Sequence, residues 1–517
     1  MVNSTIREIL VNAEQQFGQE DAVRYKVKKN EIAAKSYTDL RADSEDFSCV
    51  LKYLGEQGNH VAIIGMTSYT WMSAYLGTVN SGSIAVPLDV SLPAAEVCEL
   101  LNRADVTVFV YDEVRRDAAE LVKVQCPNVK YIISMQKTAE NSDDSCLGNK
   151  AEDTSKNHEL SFWQLNKQHG GKCDFTPEAD SLCTIMFTSG TTGKSKGVML
   201  THRNLAENAT CLDMKLPPRT VLLSVLPIHH AYCLSMDILK GISLGSVICV
   251  NDSLIRMAKN MKLFQPDMIL MVPLMIETLA KKLEDAAGLP AEAVKREVFG
   301  ENLHTICSGG AYLNPVMLDL FEQYGIKILQ GYGMTECAPV ISTNLSWYQK
   351  KESVGQLMPN CKAKVEDGEI LVQGSSVMQG YYKMPEETKE ALEGGWLHTG
   401  DLGYVDEDNF IFLTGRKKNL IITKNGENVS PEEIENRLSE ARLVQEVLVR
   451  EAEGIIEAEI FPDYEYAKKK GLDDIRLCLQ QVIDNYNQET APHKKVYKLT
   501  VRETEFPKTP SKKIKRY

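Results

Sequence analysis

Residues 184–200 read TIMFTSGTTGKSKGVML. An apolar run (Ile185, Met186, Phe187) leads into Thr188-Ser189-Gly190-Thr191-Thr192-Gly193-Lys194-Ser195-Lys196-Gly197, and a second apolar run (Val198, Met199, Leu200) follows. This predicts a strand, a loop of glycines, hydroxyls and lysines, and a second strand. Glycines let backbone N–H groups approach a polyphosphate closely. Hydroxyls hydrogen-bond phosphate oxygens, and lysine brings compact positive charge. Gly193-Lys194-Ser195 matches the end of a P-loop, but that pattern needs glycine where Thr188 stands. A P-loop also opens into a helix, whereas this loop leads to another strand. The P-loop reading fails on both counts. On the loop alone, a glycine-rich hairpin without a ligand stays open beside a polyphosphate site.

A chain of 517 residues has room for about two to four domains and an ample core. Hydrophobic residues at 43% and charged residues at 25% are the balance of a water-soluble globular protein. No apolar run approaches the roughly 20 residues of a membrane helix. The N-terminus lacks the basic start and apolar block of a signal peptide. The 13 cysteines are irregularly spaced without a C-x-x-C pair, which predicts reduced core thiols and a cytoplasmic setting. A net charge of −13 argues against nucleic acid or an anionic membrane as main partner. The tail from Lys494 onward is the exception, with nine Lys/Arg against two Glu.

Between residues 60 and 111, short apolar runs alternate with helical patterns, the rhythm of a mostly parallel sheet covered by helices. Residues 137–178 turn polar and read as a surface excursion. The rhythm resumes after the loop, with strands expected near 221–226, 246–250, 267–272, 303–307 and 326–329. Asn314-Pro315 starts a helix there. From about 346 short strands and turns predict a small β-rich unit. At Arg416 a further unit begins, with Asn425-Gly426 as a hairpin signal and Ser430-Pro431-Glu432-Glu433 as a capping box. The predicted class is α/β: a large N-terminal domain (1–415) of two packed α/β subdomains (about 1–178 and 179–345) plus a β-rich subdomain (346–415), then a small α+β C-terminal domain (416–517).

Four more strings carry chemistry: Ser308-Gly309-Gly310-Ala311, Gln330-Gly331-Tyr332-Gly333-Met334-Thr335-Glu336, His398-Thr399-Gly400-Asp401, and Pro507-Lys508-Thr509-Pro510-Ser511-Lys512-Lys513-Ile514. Singly, the first two read equally well as strand-to-loop turns, the third reads more readily as a turn or cap, and the fourth as a solvated basic tail. In this order, with the loop at 188–197, they resemble the adenylate-forming superfamily: acyl-CoA synthetases, firefly-type luciferases and peptide-synthetase adenylation domains. The resemblance covers nearly the whole chain. It implies that Thr188, Ser189, Gly190, Thr191, Thr192, Gly193 and Lys194 clamp the β- and γ-phosphates of ATP. Gly310-Ala311 would offer a backbone edge to adenine, with Tyr332 and Gly333 beside the base and the Tyr332 ring stacked on it. Thr335 would bond the α-phosphate, and Glu336 would ligate Mg²⁺. Asp401 and Arg416 would take the ribose, and Lys418 would be the hinge of the C-terminal domain. Lys513 would be the catalytic lysine. The family usually has glycine just before it, and Lys512 stands there, so Lys512 is its rival.

His229-His230 follows Leu226-Pro227-Ile228. No further metal ligand is near in sequence, so zinc is disfavoured and neutral core histidines are the plain alternative. The string resembles the synthetase segment bordering the acyl carboxylate and thiol channel, with His230 at the matching position. Amino-acid-activating relatives carry aspartate hereabouts, so an uncharged acyl chain is implied. The expected activity is an AMP-forming acyl-CoA synthetase acting on a carboxylic acid, most like those for fatty acids, with ATP, Mg²⁺ and CoA. The C-terminal domain would then turn, bringing Gly426 to the thiol. The alternatives are a stand-alone adenylation enzyme loading an acyl carrier protein, and a non-catalytic binding relative. The latter should have lost Glu336, Asp401 or Lys513, and all three are present.

Overall fold

The structure is a computed structural model that describes residues 2–28, 30–136, 160–188, 195–286, 288–423, 426–508 and 514–516. Two large sheets carry most of the chain as far as Tyr381. In the eight-stranded sheet, Ile84–Leu88, His60–Ile64, Val106–Tyr111 and Tyr131–Ser134 lie side by side and parallel. Leu160–Ser161 closes one edge. Leu182–Thr188, Lys196–Thr201 and Gly380–Tyr381 close the other. The nine-stranded sheet runs Gln356–Leu357, Val340–Thr343, Lys327–Gly333, Thr305–Ser308, Met268–Met271, Val221–Ser224, Val247–Val250, Asp21–Lys28, Glu31–Ser36. Its centre is parallel, and both edges end in antiparallel pairs. Met268–Met271 and Val247–Val250 are buried throughout, because helices cover both faces of the sheet. The expected α/β architecture is present.

The chain does not divide into sheets at residue 178. Leu182–Thr188 pairs with Ile84–Leu88 of the earlier half, while Asp21–Lys28 pairs with Val247–Val250 of the later one. Each strand finds a long-range neighbour at a sheet edge, a choice that local pattern does not encode. The polar excursion also ends sooner than its composition suggests. Phe162–His169 is a helix, and Phe162 is fully buried, its ring 4.7 Å from that of Phe47.

The β-rich unit is a four-stranded antiparallel sheet of Cys361–Glu366, Glu369–Gly374, Leu397–Val405 and Ile411–Arg416. Beyond it, Val444–Ala452, Ile455–Pro462 and Val496–Val501 form a small sheet with helices Pro431–Leu438 and Ile475–Glu489. This unit has its own core, including Ile434, Leu438, Ile460 and Leu479. Ile421–Ile422 and Asn428–Val429 pair as the predicted hairpin; Asn425 lies outside the described residues.

The expected capping box at Ser430 does not form. Its hydroxyl instead donates to the Thr414 carbonyl at 2.7 Å, tying the new helix to the preceding strand. A Cβ on Gly415 would lie 1.9 Å from that hydroxyl oxygen, so only glycine permits the approach. Among the described residues, no helix is long and apolar enough to cross a membrane.

Candidate active site

The two strands flanking the glycine-rich loop pair as predicted. Leu182–Thr188 pairs antiparallel with Lys196–Thr201, and Thr188 faces Lys196 at the loop end. Ser189, Gly190, Thr191, Thr192, Gly193 and Lys194 lie outside the described residues. Gly380 and Tyr381 pair with Met199 and Val198 on the far side. Lys196 Nζ lies 4.7 Å from the centre of the Tyr381 ring, and the Tyr381 phenol donates to Glu336 Oε1 at 2.9 Å. The loop is thereby joined to the Thr335-Glu336 turn.

That turn follows strand Lys327–Gly333. A Cβ on Gly333 would lie 2.0 Å from the Pro339 carbonyl oxygen, so the chain folds back on itself only because glycine stands there. Asn208, fully buried on helix His202–Thr210, clamps the turn from below. Its amide donates to the carbonyls of Cys337 (3.3 Å) and Val340 (2.8 Å), and its carbonyl accepts from Val340 N at 3.1 Å. The Ser235 hydroxyl donates to the Ala338 carbonyl at 2.8 Å. The turn that carries Glu336 is thus held by the helix that continues the glycine-rich hairpin.

Asp401 is buried on Leu397–Val405, opposite Arg416 in register. The Tyr332 phenol donates to Asp401 Oδ2 at 2.6 Å, and Arg416 Nε lies 2.6 Å from Oδ1. Burial, then the neighbouring carboxylate, push the Tyr332 phenol well above its ordinary pKa, so it stays a donor. Tyr332 itself is only 8% exposed. Its contact with Asp401 is through the hydroxyl, a pairing that reading the ring as a base platform did not foresee. Glu369, buried beneath, accepts from Gly400 N and Lys417 Nζ, both at 2.9 Å. Burial works to raise its pKa, but the lysine and the amide outweigh it and hold the carboxyl below its usual range. Gly310 and Ala311 are exposed just beyond strand Thr305–Ser308, beside the Tyr332 strand. Lys418 is exposed next to Arg416. Partial desolvation, then the Arg416 charge, lower its pKa.

The His229 and His230 rings pack with centroids 4.3 Å apart and planes tilted by 42°. They precede a π-helical turn, Cys233–Leu239, a form frequent at functional sites. His229 is mostly buried, whereas His230 opens to solvent. Protein crowded around His230 still disfavours its cation. Gly426, with φ of 78°, lies exposed on the C-terminal hairpin. Lys512 and Lys513 lie outside the described residues. On either side, Lys508 and Ile514 pair as an isolated bridge.

A carboxylate held between a phenol and a guanidinium, joined through one strand to a glycine-rich hairpin, is an arrangement suited to a nucleotide. The model of the AMP-binding enzyme family matches residues 11–382, and that of the AMP-binding enzyme C-terminal domain matches residues 418–517. The chain belongs to the AMP-binding enzyme family. A long-chain-fatty-acid–CoA ligase of Salmonella typhimurium is 33% identical over 311 residues, 54% of this chain and 52% of that protein. The chain thus spans about half the length of that relative. A Bacillus subtilis protein of the same name is 27% identical over 489 residues, covering 86% of this chain and 82% of its own. In fold, the chain resembles the anthranilate CoA ligase AuaEII in complex with anthranoyl-AMP, with TM-score 0.82, 19% identity, and 99% and 95% of the two chains covered. ATP-bound MatB from Rhodopseudomonas palustris gives TM-score 0.79 at 24% identity, covering 98% and 96%.

Within this member of the AMP-binding enzyme family, the structure brings Tyr332, Asp401 and Arg416 into direct contact and ties Glu336 to the hairpin. Tyr381, Asn208 and Glu369 were missed by sequence reasoning. Asn204 and Asn208 lie one turn apart on one helix face, a signal that was available. Tyr381 and Glu369 reach their partners only through tertiary pairing.

Proposed function

We propose that the protein is an AMP-forming acid–thiol ligase. A carboxylate attacks the α-phosphate of ATP, pyrophosphate leaves, and CoA then takes the acyl group from the adenylate. The observation that carries this reading is the Asp401 carboxylate set between Tyr332 and Arg416, at the junction of the N-terminal sheets with the C-terminal unit. A two-oxygen acceptor there suits the paired hydroxyls of a ribose. In the same reading the loop at 188–194 holds the leaving pyrophosphate, and Thr335 and Lys513 attend to the α-phosphate.

Glu336 offers a partly exposed carboxylate of the hard-oxygen type that Mg²⁺ prefers, with one oxygen held by Tyr381. One carboxylate completed by substrate phosphates is a common magnesium arrangement, and these residues fit it. Magnesium there would neutralise phosphate charge. A fatty acid is the favoured substrate, supported by His229-His230-Ala231-Tyr232 where a charged partner for an amino group would otherwise stand.

The test is incubation with ATP, Mg²⁺, CoA and a panel of acids (acetate, octanoate, hexadecanoate, benzoate, malonate and amino acids), with acyl-CoA and AMP read by mass spectrometry. Acyl-CoA and AMP from a fatty acid support the proposal. Adenylate without acyl-CoA would move the thiol to a carrier protein. Neither product from any acid would overturn it.

A further inference from the structure

Asp89 meets the histidine pair across the junction of the two large sheets. It follows strand Ile84–Leu88 of the eight-stranded sheet, whereas His229 and His230 follow Val221–Ser224 of the nine-stranded one. The amide and hydroxyl of Ser91 both donate to Asp89 Oδ1 at 2.8 Å. The other oxygen, Oδ2, lies 3.7 Å from His229 Nε2, just outside hydrogen-bond range. That ring nitrogen is buried without a hydrogen-bond partner among the described residues, and the His229 side chain is 8% exposed. An orphaned polar atom at this depth is costly unless it acquires a partner, and Asp89 is the group poised to supply one.

We propose that Asp89 and His229 are positioning residues that prepare His230 to accept the thiol proton in the second half-reaction. This rests on the ligase reading above. In that step the S–H bond breaks and its proton passes to an unprotonated ring nitrogen of His230. The sulfur electron pair forms the C–S bond to the acyl carbon. The bond between that carbon and the phosphate oxygen breaks, and AMP leaves with the pair. His230 then returns its proton to solvent.

A thiol has a pKa near 8.5 and is largely protonated at neutral pH, so its attack gains from a nearby acceptor. Burial lowers the pKa of both histidines, and Asp89 is the charge that opposes the shift in each. His229 adds its own ring beside His230. Both histidines therefore begin neutral, and the carboxylate favours the imidazolium that forms on His230.

The test is Asp89→Asn, with Asp89→Glu as the conservative control. Loss of the carboxylate lowers the His230 pKa further, which makes it a weaker base. Thioester formation is measured from preformed adenylate of the acid turned over fastest in the panel. It should slow about tenfold on its neutral-pH plateau, and its acid limb should move to lower pH. ATP–pyrophosphate exchange should stay within about twofold, and Asp89→Glu should recover most of the loss. Independently of turnover, the His230 imidazole resonance should titrate at lower pH in Asp89→Asn. An unmoved midpoint and acid limb would overturn the proposal, as would equal loss of both half-reactions. If the wild type forms adenylate but no thioester, the ligase reading falls, and the imidazole titration alone decides the coupling to Asp89.

Discussion

The Tyr332 phenol and Asp401 form a 2.6 Å hydrogen bond inside the protein, and Arg416 lies at the other carboxylate oxygen. A buried carboxylate keeps its charge only with such partners. Tyr332→Phe keeps the ring and removes the donor. Stability should fall by about 1–2 kcal/mol, because a buried charged acceptor loses a partner. The KM for ATP in pyrophosphate exchange should rise by about five- to tenfold, equivalent to roughly 1 kcal/mol of binding. Unchanged thermal unfolding and KM would show that the phenol is a bystander.

Asn208 makes its contacts from full burial, and removing it orphans the Val340 amide and two carbonyls. Asn208→Ala should therefore destabilise by about 2–3 kcal/mol. Since it fixes the turn bearing Thr335 and Glu336, kcat for adenylate formation should fall more than KM for ATP changes. Asn208→Asp retains the acceptor for Val340 N and should do less damage. A stable Asn208→Ala enzyme with full kcat would show that the turn holds its shape without the clamp.

Much of the fold was legible because its signals are local. The alternation of apolar runs and helical patterns at 60–111 reappears in elements such as helix Ala94–Arg103 and strand Val106–Tyr111. Sheet membership was not legible, since it depends on which open edge each strand meets. The same distinction holds in the candidate site. Asp401 and Arg416 stood out in their strings, but their contact arises from the register of two antiparallel strands. Ser430 carried a capping signal, yet its hydroxyl found the Thr414 carbonyl instead.

Lys513 carries the role most open to direct attack. Lys513→Ala should abolish adenylate formation while leaving thioester formation from supplied acyl-adenylate nearly intact, because in the proposed mechanism its charge acts only as pyrophosphate departs. The two half-reactions measured separately decide this. Equal loss of both would remove the assigned role, and the same assay on Lys512→Ala would show whether its neighbour holds it.

Glu435 gives the C-terminal unit a pH dependence of unusual sign. Burial raises its pKa to about 7, against the opposing pull of Arg516 and the Val449 amide. The folded state therefore holds this proton more tightly than the unfolded chain, where a glutamate titrates near 4.3. Stability should fall as pH climbs from about 4.5 to about 7 and level off above, by roughly 3 kcal/mol from this group. Glu435→Gln keeps an acceptor for Val449 N and should flatten that slope. Urea unfolding of the C-terminal transition across this pH range measures it, and an unaltered slope in the variant would reassign the effect.

The seat of the C-terminal unit on the N-terminal sheets is built from charge. Arg442 Nη2 lies 2.8 Å from Glu284 Oε2 on helix Pro273–Asp285, and its Nη1 lies 2.8 Å from Asp463 Oδ2. Lys469 pairs with Asp285 at 3.1 Å, and the Asn314 amide donates to the Ser439 carbonyl at 3.0 Å. Contacts of this kind weaken with salt, since screening at about 1 M acts within roughly 3 Å against roughly 10 Å at 0.1 M. They also release without exposing an apolar core, which suits a unit expected to turn about Lys418. Arg442→Ala leaves Glu284 without this cation and should loosen the seat. Limited proteolysis at residues 416–420 should then be several-fold faster at low salt. Raising ionic strength should speed cleavage of the wild type towards the variant's rate while changing the variant little. Equal cleavage rates at low salt, or equal salt responses, would mean that another contact holds the unit in place.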